Sequence, residues 1–305
     1  MAFQVGDFVI NQKAPDWGRG KILEKLGNNY RIFFEDEGEK TVSPVAKLEK
    51  IEIEDENPIL EHANAKTDFS KYRNPKDLEV NFLELFPGGF EDPEYLDEER
   101  NYKVAASTFA KEILSEKRII SLLEQKNFEE ISELAKKVIN KTNLVFPNEI
   151  MSFSDGLSAK PENEKIFSEA FFYHLYSKDS LKKRFMAFVK ALNQLDAAKW
   201  TTATYFLHLV YPVDSPFMKP GVTKKAAETF GYPLDYTTNI QWDTYSRLIE
   251  FAKLIGKRIS AHPLLKPGDM IDIQGFMWCA DPSKYSKKDR LKLDRKRKER
   301  LGKTG

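Results

Sequence analysis

The sequence predicts a multidomain α+β chain: a small antiparallel β-barrel at the N-terminus, followed by a mainly α-helical domain. Three observations carry this reading. Residues 3 to 48 hold short runs rich in Phe, Val and Ile, parted by Gly and Asn turns. Beyond about residue 60, apolar residues recur at three- and four-residue spacing. The chain has 305 residues, more than one compact core can be assumed to hold, which suits about two domains.

The barrel spans 1 to 50. "DFVIN" and "RIFFED" read as strands, with "GKILEKL" between them. Gly18 and Gly20 bracket Arg19, and "GNN" (27 to 29) and "DEGE" (36 to 39) read as turns. The stretch 51 to 59 is acidic, carries Pro58 and reads as a linker. The helical domain follows from 60 to 282. One helix is expected over Val104 to Gln125. Phe128, Ile131, Leu134, Ala135 and Val138 mark an amphipathic helix, and so do Leu181, Phe185, Phe188 and Leu192. Trp242, Tyr245, Leu248, Ala252 and Ile255 mark another, with Thr238 and Gln241 placed to form a capping box. "KKAAETFGYP" predicts a helix that stops at Phe230, with Gly231 in the left-handed position. "FPGGF" (86 to 90) reads as a turn.

Hydrophobic residues make up 41% and charged residues 31% of the chain, the balance of a soluble globular protein with a charged surface. No apolar run approaches the roughly 20 residues of a membrane span, and no signal peptide is read at the start. The single cysteine, Cys279, excludes an internal disulfide and fits a reducing, cytoplasmic setting. Charge is spread unevenly. Residues 283 to 305 form a basic tail with 11 Lys/Arg against 3 Asp/Glu, which leaves the rest of the chain at −7. Such a tail attracts polyanions in a salt-dependent way.

The pattern Gly6-Asp7, Trp17-Gly18, Gly20, Tyr30-Arg31-Ile32-Phe33-Phe34 and Gly38 before Val42 resembles the Tudor/SH3-like barrels. It is closest in character to small bacterial versions that accompany repair helicases and RNA-polymerase-binding factors. The resemblance implies contact with a protein or nucleic-acid partner, through Trp17, Arg19, Lys21, Tyr30 and Phe34. One departure bears on methylated side chains. Where methyl-reading relatives often carry aromatic-Gly-Asn, this chain has Glu37, Gly38 and Glu39, so a wall of the aromatic cage is missing. Trp17 itself has two readings, a lid on a small core or a contact for a partner.

The helical region offers little that names a reaction. His62, His174, His208 and His262 lie far apart, and no CxxC, HExxH or HxxxH spacing occurs, so no metal site and no cofactor is expected. His174 and His208 sit among apolar residues and read as core histidines, and Cys279 as an inert buried thiol. No phosphate-binding glycine loop and no GxSxG nucleophile motif is present. Residues 195 to 231 resemble, in order alone, the helix-hairpin-helix DNA glycosylases, and Lys199 and Asp214 would then be the catalytic amine and carboxylate. The hairpin glycines of that family are absent here. Lys219, Lys224 and Lys225 surround a helix start, a place suited to phosphate. With Lys287, Lys288, Arg290, Arg295 and Arg297 of the tail, they make up the expected nucleic-acid contacts. The functional expectation is a non-enzymatic adaptor that binds a protein or nucleic-acid partner. The alternatives are a glycosylase-like enzyme on nucleic acid and a purely protein-binding scaffold.

Overall fold

The computed structural model describes residues 3–43, 46–52, 57–281 and 285–302. Five strands open the chain: β1 (Phe8–Asn11), β2 (Arg19–Leu26), β3 (Asn29–Phe34), β4 (Gly38–Val42) and β5 (Leu48–Ile51). They form one antiparallel sheet in the order β4-β3-β2-β1-β5. No ladder joins β4 to β5 among the described residues, so the sheet is open. Gly27, at φ +60°, makes the β2–β3 turn as expected. Strand β5 occupies residues that the sequence reading divided between barrel and linker. Of that linker, residues 53 to 56 lie outside the described residues, and Pro58 starts a helix rather than ending a loop.

The two faces of the sheet have different partners. On one face Val9, Ile22, Ile32 and Phe34 are fully buried and, with Tyr30 and Val42, form a small core of their own. Gly20 is required there, because a Cβ would lie 2.7 Å from the Phe34 ring and 2.9 Å from Ile32. On the other face Leu23 and Phe33 join the main core. Phe33 stacks on Phe69 at 4.0 Å between ring centroids and meets Tyr72 edge-on at 5.2 Å. The sheet is therefore bonded to the helices through apolar contact as well as through the chain.

The helical region begins with α1 (Pro58–His62), α2 (Pro75–Leu85) and α3 (Pro93–Tyr95), which passes through a π-helical turn into α4 (Asn101–Ile113). Then come α5 (Glu116–Glu124), α6 (Phe128–Ile139), α7 (Pro147–Ser158), α8 (Pro161–Tyr176) and α9 (Leu181–Gln194). The last five are α10 (Trp200–Val210), α11 (Pro220–Phe230), α12 (Trp242–Ile259), α13 (Met270–Cys279) and α14 (Lys287–Gly302). The helix expected over 104 to 125 is two helices. Ser115 adopts an extended conformation (ψ 144°) at the start of α5 and breaks the run. The expected capping box at Thr238 does not form: α12 begins at Trp242, and Gln241 is its N-cap with no side-chain bond. Gly231 does take the left-handed position after α11, at φ +68°. Gly89 takes a positive φ in the expected turn and leaves room for the Leu264 carbonyl, which a Cβ would approach to 2.0 Å.

Residues 287–302 of the basic tail form helix α14. Leu293 of α14 is buried in the main core. Around it, Arg290 pairs with Glu84 at 3.4 Å, and Arg300 pairs with Glu94 at 3.1 Å and Asp97 at 2.7 Å. Lys292 and Lys296 both bond Glu98. Arg297 approaches Glu94 and donates to the Leu85 carbonyl at 2.9 Å. Glu94 is almost wholly buried, and Arg297 and Arg300 are its ion-pair partners.

Candidate partner surfaces

The barrel contacts expected from sequence divide by burial. Phe34 is fully buried and Tyr30 nearly so, because alternation along β3 turns both into the small core. Neither ring is placed to touch a partner. Trp17 is half-buried and packs edge-on against Phe34 at 5.1 Å, with the Lys40 ammonium 5.6 Å from its ring. It closes the small core and keeps part of its surface in solvent, so its two readings coexist. Arg19 is engaged in a two-pronged contact with Glu35 at 2.9 and 3.1 Å. Lys21 donates to the Glu61 carbonyl at 2.8 Å, and partial burial lowers its pKa.

Glu35 and Asp36 have a role that sequence reasoning did not assign. Asn57 donates to Glu35 Oε2 at 2.6 Å, and the Tyr72 hydroxyl donates to the Glu35 carbonyl at 2.7 Å. Arg258 of α12 donates to that carbonyl and to Asp36 Oδ1, both at 2.7 Å. Arg19 therefore serves the joint between sheet and helices. The partners come from residues 57, 72 and 258, and no local spacing announces them.

The α11 lysines are not one phosphate cradle. Lys219, at the N-cap, lies over the rings of Phe146 and Trp278 at 4.9 and 5.9 Å. Lys224 lies over Tyr236 at 4.9 Å, beside a groove of about 410 Å³. Lys225 pairs with Asp281 at 2.6 Å on the other flank of the helix. Lys199 and Asp214 are not brought together either. Lys199 is the N-cap of α10, and Asp214 lies four residues beyond its C-terminal end. An 11-residue helix is about 16 Å long, too far for two groups to act on one atom.

A buried polar network lies between α4 and α13, and its members were not singled out from sequence. Lys103 is 1% exposed and donates to Gln274 at 2.7 Å and to Glu99 at 3.4 Å; burial lowers its pKa. Tyr285, just before α14, donates to Glu99 at 2.7 Å. Cys279 and His208 are fully buried nearby. Burial raises the thiol pKa well above its ordinary value and pushes the imidazole down to about 4. His174, stacked on Phe188 at 4.3 Å, is pushed down to about 3 by the same cause. At neutral pH both imidazoles are uncharged core groups, and the thiol is protonated.

The remaining basic residues lie on α14. Lys288, Leu291, Arg295 and Lys298 follow one another at helical spacing and are exposed, as is Lys287. Lys287, Lys288, Arg295 and Lys298 carry no ion pair among the described residues. This outer stripe is rotated about 200° from the inner one formed by Arg290, Leu293, Arg297 and Arg300. Arg290 and Arg297 thus belong to docking, whereas Lys287, Lys288 and Arg295 face solvent. No group of three or more metal-ligating side chains occurs, and no helix is long and apolar enough to cross a membrane, among the described residues.

Residues 3–51 match the model of a family described as a protein of unknown function (DUF3553). The match runs from just ahead of β1 to the last residue of β5, so the family unit coincides with the small sheet. It covers about a sixth of the chain. No curated protein and no solved structure matches the chain.

Proposed function

We propose that this chain is a non-enzymatic adaptor of the cytoplasm that holds nucleic acid on the outer stripe of α14. In this reading the N-terminal sheet works as a Tudor/SH3-like barrel and offers the exposed part of Trp17 to a protein partner. One observation carries the nucleic-acid part. The inner stripe of α14 is bonded to Glu84, Glu94 and Asp97, and Lys292 and Lys296 beside it to Glu98, which leaves Lys287, Lys288, Arg295 and Lys298 on a fixed, solvent-facing helix. A helix held in place presents its cations without first paying the entropy of ordering them. Phosphate contacts of this kind give affinity without sequence preference.

The test is a salt series. Binding of a labelled DNA duplex is measured for the wild type and for Lys288→Glu/Arg295→Glu/Lys298→Glu. Each phosphate contact contributes a slope of about −0.9 in log K against log salt, so the variant should lose roughly three such contacts. Unchanged affinity and slope would refute the reading. Point variants are the right instrument here, because deleting the tail would also uncover the Leu293 site and leave the buried Glu94 without its arginines.

A further inference from the structure

Helix α4 carries Tyr102 and Phe109, two turns apart on one side and each half-exposed. The segment leaving α6 runs beside them. Lys141 Nζ lies 4.2 Å from the centroid of the Phe109 ring, and Tyr102 donates to Asn143 Oδ1 at 3.2 Å. Three residues further on, Phe146 is 51% exposed. Lys219 Nζ stands over both Phe146 and the half-exposed Trp278. Aromatic rings and lysines therefore alternate along one surface built from α4, the α6–α7 segment, the start of α11 and α13. At the Phe109 end it opens into a groove of about 530 Å³ that also holds the exposed Lys137.

We propose that this strip binds single-stranded nucleic acid, with bases stacked on Phe146 and Trp278 and phosphates against Lys141 and Lys219. The ligand has to match two properties at once. Its negative charges must meet the lysines, and its flat π faces must pack on the parts of the rings that stay exposed beside those lysines, above all Phe146. A single strand alternates these groups along its length. A duplex keeps its base faces inside the stack, and an acidic peptide brings charge without a run of rings. The stacking is tolerant of sequence, because every base has a π face. This inference rests on the reading that the chain binds nucleic acid, and it names the strand class and a second surface separate from α14.

The experiment compares a labelled single strand of about 16 nucleotides with the duplex of the same sequence, using the full chain. The variants are Phe146→Leu, Phe146→Tyr and Lys141→Gln/Lys219→Gln, with thermal unfolding as the control for folding. Phe146→Leu keeps an apolar side chain at an exposed site and removes only the ring. The expected result is tighter single-strand than duplex binding. Single-strand affinity should fall about fivefold or more in Phe146→Leu and in the lysine variant, and persist in Phe146→Tyr, while duplex binding is unchanged. Equal single-strand affinity for Phe146→Leu and wild type, or equal binding of strand and duplex, overturns the inference. The α14 charge reversal separates the two ideas. If it leaves duplex binding intact, the α14 reading fails, and the strip is still judged by its own variants.

Discussion

Two stripes of the same helix carry nearly the same side chains and have opposite fates. Arg290, Leu293, Arg297 and Arg300 form one; Lys288, Leu291, Arg295 and Lys298 form the other. Both read as cation, leucine, cation, cation at identical spacing. Leu293 is 3% exposed and Leu291 57%. The difference does not come from α14. It comes from the elements beneath it, which set Glu84, Glu94, Asp97 and Glu98 beside the buried Leu293. A basic helix is thus divided between structure and surface by carboxylates about 200 residues earlier in the chain. Net charge counted along a tail overstates what that tail can offer a partner, because five of its nine cations among the described residues already meet carboxylates of the body.

The sharpest break of this comparison is a pair of leucine truncations. Leu293→Ala should destabilise the docked helix by about 2–4 kcal/mol, the usual cost of removing a buried leucine. Leu291→Ala should cost less than about 0.5 kcal/mol, as surface changes do. Chemical denaturation together with hydrogen exchange of the α14 amides reads both, and equal effects would abolish the distinction between stripes.

Charge removal comes next. Arg297→Gln/Arg300→Gln leaves the buried Glu94 without its cations and should destabilise the docked helix, by less than Leu293→Ala, because Arg300 is half open to water. Replacing Glu94 by Gln in the same background should recover much of the loss, since the unpaired charge goes with it. Failure of that rescue would place the penalty elsewhere.

Acid gives the smallest effect. The hydrogen bond from Lys296 holds the Glu98 carboxyl below its ordinary value of 4.5. A carboxyl whose folded pKa is depressed stabilises the folded form fully above the unfolded pKa and loses that contribution as pH falls through the folded value. Protection of the α14 amides should therefore hold down to about pH 4.5 and weaken below it, by less than about 1 kcal/mol for this partly exposed pair. Glu98→Gln should remove that acid-dependent part; an identical acid profile in the variant would assign it to another group.

Much of the molecule was legible in the sequence. The β2–β3 hairpin followed from "GNN" between β-rich runs, and α6, α9 and α12 from their apolar spacing. The end of α11 followed from Gly231, and the burial of His174, His208 and Cys279 from their apolar neighbours. Strand β5 was missed because "LEKI" is short and half-exposed, with little alternation to mark it. The partner residues were only partly legible. Phe34 and Trp17 looked alike as aromatics of a small barrel, yet pairing register puts one at the centre of the small core and the other at its rim.

By itself, the sequence determined the period-2 strands, the period-3.6 helices, the glycine turns and the unequal charge of body and tail, because each depends on side chains a few residues apart. Tertiary structure alone decided the rest. It bonded the back face of the sheet to the helices through Phe33 and Phe69, set Lys199 and Asp214 at opposite ends of α10, and gathered Phe109, Tyr102, Phe146 and Trp278 along one surface. It also chose which stripe of α14 meets carboxylates. Those outcomes depend on contacts between residues tens to hundreds of positions apart, and local spacing carries no record of them.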